Sequence, residues 1–166
     1  LIADVVTGLF ILVDNQYNVG DIIEVGGFRG TVSDIGIRTT CVTDPGGNVK
    51  IINNSDMKNI LNRSDKNSKA VAVFPVPYDT DIPALEEKIP AMLDKIYGYH
   101  TDVFKNEPKY LGVDALSASS VDLKFIVEVD ESNIYSGARL LNRELFVGMR
   151  DLGVECPFQQ VDIHTK

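Results

Sequence analysis

Apolar and polar positions alternate along this chain in three distinct rhythms. Residues 1–13 are almost wholly apolar, broken only by Asp4 and Thr7. A segment apolar on all sides has no amphipathic period, so it reads as a buried helix or as part of a membrane helix. Thirteen residues are too few to cross a bilayer, which takes roughly 20. No basic n-region or small-residue cleavage pattern accompanies them, so a secretory leader is not expected. Two readings stand: a core helix, or the tail of a membrane helix that begins upstream.

From residue 18 to 64 the rhythm shortens to β-prone runs separated by turn residues. Residues 21–25 form one run and end at Gly26-Gly27, a pair suited to a tight turn. Residues 28–33 form the next, with Gly30 as a bulge or a point of close approach. A third covers 35–43, where Ile37, Thr39 and Cys41 share one face and Arg38, Thr40 and Val42 the other. Asp44-Pro45-Gly46-Gly47 is a turn in which Pro presets one φ and Gly permits the next. Runs at 49–52 and 60–61 complete four or five short strands, which predicts a small barrel or rolled sheet.

A polar stretch at 64–69 reads as a linker, placing the boundary at 65–69 between a β-domain (14–64) and a second domain (70–166). The second domain has mixed rhythms. Residues 70–76 alternate as a strand. Asp81 then resembles an N-cap and Pro83 suits the first turn of a helix. Ile82, Leu85, Ile89, Met92, Leu93 and Ile96 recur at helical spacing, and Pro90 should kink or interrupt that helix. Strands follow at 109–115 and 120–129, the latter with Val121, Leu123, Phe125, Val127 and Val129 on one face. A helix is expected over 131–152, ended by Gly153, and a last strand over 160–164. Strand, helix, two strands, helix, strand is the ferredoxin-like order.

Composition narrows the chemistry. The 166 residues are 44% hydrophobic and 24% charged, with a formal net charge of −8. That acidity disfavours nucleic acid as a partner. Cys41 and Cys156 are far apart, as are His100 and His164, so neither a metal site nor a disulfide framework is expected, and no cofactor. Ser117, Ser119 and Ser120 cluster without a suitably spaced His or Asp or a nucleophile elbow. Glu86-Glu87, Asp79 and Asp81 suit a wet helix face and first turn. Gly26, Gly27 and Gly30 lie between strands with no following helix, unlike a phosphate loop. Catalysis is not expected. A rival is an RNA- or ligand-binding ring of Sm-like or OB type, for which the β-region offers only the separated aromatics Tyr17 and Phe28.

The run from Gln16 through Gly20-Asp21-Ile22-Ile23-Glu24-Val25 to Gly26-Gly27, then Gly30-Thr31-Val32, resembles the β-domain signature of small-conductance mechanosensitive channels. Ile35-Gly36-Ile37-Arg38-Thr39-Thr40, Asp44-Pro45-Gly46-Gly47 and Ile51-Ile52-Asn53-Asn54 look like the strand, hairpin and closing segment that follow it. Gly153-Val154-Glu155-Cys156-Pro157-Phe158-Gln159-Gln160 resembles the family's stretch toward its terminal strand. The chain departs from the pattern at Asn53 and Gln159, where the family usually has Pro. The resemblance implies a helical stub, a small all-β Sm-like domain and an α+β ferredoxin-like domain. Its structural turns are expected at Gly20, Gly26, Gly27, Gly30, Pro45 and Gly46.

In this family seven subunits build a hollow cytoplasmic cage with side openings, attached to a tension-gated pore in the inner membrane. The resemblance therefore implies a homo-oligomer, expected to be a heptamer. It also implies transmembrane helices upstream that meet the lipid bilayer, and ions and small osmolytes as permeating partners released in hypo-osmotic shock. Residues 1–13 become the lower end of the pore helix, with Gly8 as its close-packing position and the gate residues upstream. Asp4, unusual there, either is solvated or faces the pore entrance or bonds the β-domain near Asn54. Closed rings use heterologous contacts, and Phe104, Tyr110 and Phe158 are candidate exposed contacts between subunits, with Phe74 and Phe125 expected in the core.

Overall fold

A computed structural model describes residues 1–64 and 67–159. The chain divides into two compact units, Leu1–Lys66 and Asn67–Lys166. The architecture is the expected one: an N-terminal helix, a small Sm-like β-domain and an α+β ferredoxin-like domain.

In the first unit, helix α1 (Ile2–Asp14) precedes a five-stranded antiparallel sheet of β1 (Ile22–Val25), β2 (Phe28–Ile35), β3 (Thr39–Thr43), β4 (Val49–Asn53) and β5 (Leu61–Asn62). The strand order is β4-β3-β2-β1-β5, so the last strand returns beside the first. Ile11 and Tyr17 join Ile23, Val25, Val32, Val42 and Met57 in one buried cluster. Alternation places Thr40 and Val42 inward on β3, as the period-2 rule requires.

The expected strand over 35–43 is broken. β2 runs on to Ile35 and β3 starts at Thr39, while the Gly36 N–H closes a bend on the Thr39 carbonyl at 2.8 Å. The bend takes Ile37 out of the sheet and leaves it 73% exposed. Gly30 is a point of close approach: a Cβ there would lie 2.5 Å from the Thr43 carbonyl oxygen. The bulge itself falls between Val32 and Asp34. Gly20, Gly26 and Gly27 all hold positive φ. In the Asp44 turn the left-handed residue is Gly47 (φ +84°) and not Gly46, whose Pro45-Gly46 step is closed by the Gly47 N–H on the Asp44 carbonyl.

The second unit contains β6 (Ser68–Val76), α2 (Ile82–Tyr99), β7 (Lys109–Leu116), β8 (Val121–Val129) and α3 (Ile134–Asp151). Ser68 and Lys69, read from sequence as the end of a linker, pair with Val129 and Glu128. The sheet order is β6-β8-β7, antiparallel throughout, which leaves β6 and β7 parallel to each other on either side of β8. The expected strand over 160–164 lies outside the described residues. Inward residues of β6 and β8 form one core with Leu85, Ile89, Met92, Leu93 and Ile96 of α2 and Leu141, Leu145 and Met149 of α3. Ala70 and Ala72 face that core from β6, on which α3 packs, and their small side chains allow a close helix.

Asp81 caps α2, its carboxylate accepting the Ala84 N–H at 3.1 Å. Pro90 does not interrupt α2. It sits on the exposed face, where water can serve the carbonyl that its missing N–H leaves open. The expected helix over 131–152 begins instead as a 3-10 turn, Glu131–Asn133. It ends as expected: Gly153 (φ +83°) donates to the Arg150 carbonyl and Val154 to the Met149 carbonyl, both at 2.9 Å, the paired bonds of a Schellman motif. Val154 packs against the core from just beyond that turn. Gly153→Ala places a Cβ in the left-handed region at a cost of about 1 kcal/mol. Urea denaturation of the variant should show that loss in the transition that reports the second unit.

Candidate functional site

Helix α1 touches its own β-domain along one narrow stripe. Asp4, Gly8 and Ile11, spaced four and three apart, are its buried residues. Ile2, Val5, Val6, Leu9, Phe10 and Val13, on its other sides, are all more than 40% exposed. The helix is thus held by one polar, one small and one core-buried apolar position and presents a broad apolar surface elsewhere. It closes at Asn15, which adopts the left-handed conformation (φ 50°) that Asn tolerates better than most residues.

Each stripe residue has a specific partner. The Asp4 carboxylate accepts the Ser55 hydroxyl at 2.5 Å and the Ser55 N–H at 3.3 Å through the same oxygen. Donation from the Ser55 hydroxyl, reinforced by the Ser55 N–H, holds the Asp4 carboxyl below its ordinary range. Gly8 lies over the Asn54 side chain and the bend between β2 and β3. A Cβ on Gly8 would fall 2.5 Å from Asn54 Nδ2 and 2.7 Å from the Ile37 carbonyl oxygen. Ile11, 1% exposed, enters the core.

Beneath Gly8 the floor is a buried polar network. Asn54 is fully buried at the start of a 3-10 turn, Asn54–Asp56. Its Nδ2 donates to the carbonyls of Gly36 (3.0 Å) and Ile37 (3.1 Å), and its Oδ1 accepts the Thr40 hydroxyl at 2.9 Å. The Asn54 N–H donates to the Arg38 carbonyl at 2.8 Å. Tyr17, 1% exposed, places its hydroxyl 3.1 Å from Thr40 Oγ1.

Asp4, Gly8 and Asn54 are therefore brought together at one junction, with Ser55, Thr40 and Tyr17 added by the fold. Sequence pattern had no signal for the last three: Ser55 and Thr40 are ordinary loop and strand residues, and Tyr17 carried only an aromatic's generic meaning. The candidate subunit contacts separate. Phe158 is 84% exposed. Tyr110 is half-buried, its ring tilted against Phe125 with centroids 5.2 Å apart, and donates to Glu86 at 2.8 Å. Phe104 is not an exposed contact but part of the core, fully buried beside His100 where the chain leaves α2. Its N–H donates to the His100 carbonyl at 2.8 Å, which turns the ring inward. Among the described residues no cluster of His, Cys, Asp and Glu could hold a metal ion, and no helix is long and apolar enough to cross a membrane.

The junction predicts how α1 docking responds to sequence and pH. Gly8→Ala must collide with a backbone carbonyl that cannot rotate away, an overpacking cost of about 1–3 kcal/mol. Amide exchange across α1 should accelerate about tenfold or more, while Val6→Ala on the exposed face leaves it unchanged. Because the Asp4 pKa is lowered in the docked state, its contribution is complete above the ordinary carboxylate range and disappears as pH falls through the lowered value. Asp4→Asn should remove that acid-side loss, seen as a flat pH profile of α1 exchange after correction for the intrinsic rate.

The same junction falls inside a recognisable segment. Residues 1–65 match the family model described as mechanosensitive ion channel, beta-domain. The chain is 27% identical over 121 residues to the small-conductance mechanosensitive channel of Caldanaerobacter subterraneus subsp. tengcongensis, covering 73% of this chain and 43% of that protein. It is 24% identical over 172 residues to the Helicobacter pylori small-conductance mechanosensitive channel, covering 99% of this chain and 60% of the relative. The chain thus spans about half the length of these relatives. In fold it matches the closed-state crystal structure of Helicobacter pylori MscS with a TM-score of 0.81 at 20% identity, over 99% of this chain and 65% of that one. Residues 1–65 thus belong to the mechanosensitive ion channel β-domain family, and the chain as a whole shares its fold with Helicobacter pylori MscS and is similar in sequence to small-conductance mechanosensitive channels.

Proposed function

We propose that this chain is the cytoplasmic vestibule of a tension-gated channel subunit, carrying at its N-terminus the lower end of the pore-lining helix. The observation that carries this reading is the two-sided character of α1. One stripe is anchored to the β-domain through Asp4, Gly8 and Ile11, and the remaining surface is apolar and uncovered. At about 1.5 Å per residue, thirteen residues reach about 20 Å, short of the roughly 30 Å hydrocarbon core. The apolar surface suits neighbouring helices at the membrane boundary better than water.

In this reading the subunits close into a homo-oligomeric ring, a heptamer, by heterologous contacts between copies. The boundaries proposed are the pore-helix end at 1–13, the β-domain at 14–64, a linker at 65–69 whose last two residues, Ser68 and Lys69, already pair in β6, and the α+β domain at 70–166. Membrane tension does work on helices upstream of Leu1. The anchored stripe then couples the pore helix to the β-domain, so that movement of one is felt by the other. Ions and small osmolytes leave through the ring during hypo-osmotic shock. The part played here is mechanical and involves no catalytic step. Asp4 and Gly8 are coupling positions, with Ser55 receiving the first and Asn54 the second. Phe158, exposed, and Tyr110, half-buried, are the remaining candidate contacts between copies.

Native mass spectrometry of this chain should give a single ring mass; a monomer at every concentration in the presence of a mild detergent would count against assembly through these domains. In the full-length channel under patch clamp, Asp4→Asn and Gly8→Ala should each alter the rate at which open channels inactivate under sustained tension. If both variants conduct and inactivate like the parent, coupling through the stripe is wrong.

A further inference from the structure

We propose that Tyr17 is a positioning residue for the seat of helix α1: its hydroxyl starts a one-way hydrogen-bond chain, through Thr40, that fixes the orientation of the Asn54 amide. The direction follows from what each group is able to do. The Gly36 and Ile37 carbonyls only accept, so the NH2 end of Asn54 must face them, at 3.0 and 3.1 Å. That turns Oδ1 toward Thr40. An amide oxygen also only accepts, so the single hydroxyl proton of Thr40 is committed to it across 2.9 Å. Thr40 Oγ1 then has only lone pairs to offer Tyr17, 3.1 Å away, and the phenol must be the donor. Burial pushes the Tyr17 phenol pKa up, which keeps that proton in place.

Tyr17, Thr40 and Asn54 are each no more than 1% exposed, so water cannot readily replace a missing member. Reversing the Asn54 amide would set its oxygen against two carbonyls. Donation from Tyr17 opposes this by polarising the Thr40 hydroxyl, which strengthens its grip on Oδ1. The amide so fixed is the surface on which Gly8 rests, since a Cβ there would come within 2.5 Å of Nδ2. Tyr17 follows three residues after α1 ends at Asp14, so the segment leaving the helix returns to order the helix's own seat. The inference rests on the coupling role proposed for α1, but its test does not depend on channel activity.

The test uses amide exchange and the Asn54 side-chain amide resonances of this chain. Tyr17→Phe retains the ring and deletes the donor. It should shift the Asn54 NH2 signals and accelerate exchange in α1 about threefold to tenfold, while amides paired between β2 and β3 keep their rates. Thr40→Val should act on the same two readouts, and the double variant should do little more than the stronger single one, the non-additivity of a shared chain. Thr40→Ser, which keeps the hydroxyl, should restore both. Three outcomes would overturn the proposal: unchanged α1 exchange in Tyr17→Phe, fully additive effects in the double variant, or equal acceleration of α1 and β2–β3 amides, which marks Tyr17 as an ordinary core residue. Failure of the channel assay with these exchange results intact would refute coupling and leave the positioning chain standing.

Discussion

The contact on which the first unit turns is the one between Gly8 and the floor formed by Asn54 and the Ile37 carbonyl. With 2.5 and 2.7 Å available to an absent Cβ, no other residue type allows the helix backbone to lie so near. That closeness puts Asp4 one turn earlier within reach of Ser55, and Ile11 one turn later inside the core. Move the helix outward by the width of a methyl group and all three contacts loosen together. A helix of thirteen residues has little intrinsic stability in water. The attachment therefore decides whether α1 behaves as part of the β-domain or as a separate body.

The floor itself is built from groups that are expensive to bury. A side-chain amide and two hydroxyls lose their water, and each is compensated by a partner of the only polarity it accepts. Such a network tolerates little rearrangement, because one reversed dipole leaves two acceptors face to face. It makes a rigid support beneath a helix whose other surfaces are apolar and unspecific. Rigidity below and breadth above are complementary features for an element that must transmit a displacement.

Much of the fold was legible because its signals are local. The alternation in β8, the helical spacing in α2 and the stop at Gly153 each report a burial pattern or a backbone angle set within a few residues. Asp4, Gly8 and Asn54 were legible as positions, through resemblance, but their mutual geometry was not. It depends on the bend at Gly36 to Arg38, which breaks an unbroken β-prone run for a reason only the folded state supplies. That bend receives three donations from Asn54, eighteen or fewer residues downstream. Phe104 failed for a related reason: it lies between regular elements, in a turn closed on the His100 carbonyl just past α2, and is buried there without any periodic signature.

Tyr17 makes the same point from the other side. Read as sequence, an aromatic beside a Gly-rich β-region has two ordinary meanings, a core ring or a stacking surface. Its burial beside Thr40 excludes the second for this residue, since a ring 1% exposed cannot stack on a base. The hydroxyl then requires explanation, because Phe would fill the same space without a polar group to satisfy. What distinguishes Tyr from Phe here is the proton it can give, and Thr40, with its own proton committed to Asn54, is a group able only to accept it. The seat of the helix is consequently specified by the order in which three donor groups are aligned as much as by the space left above Asn54.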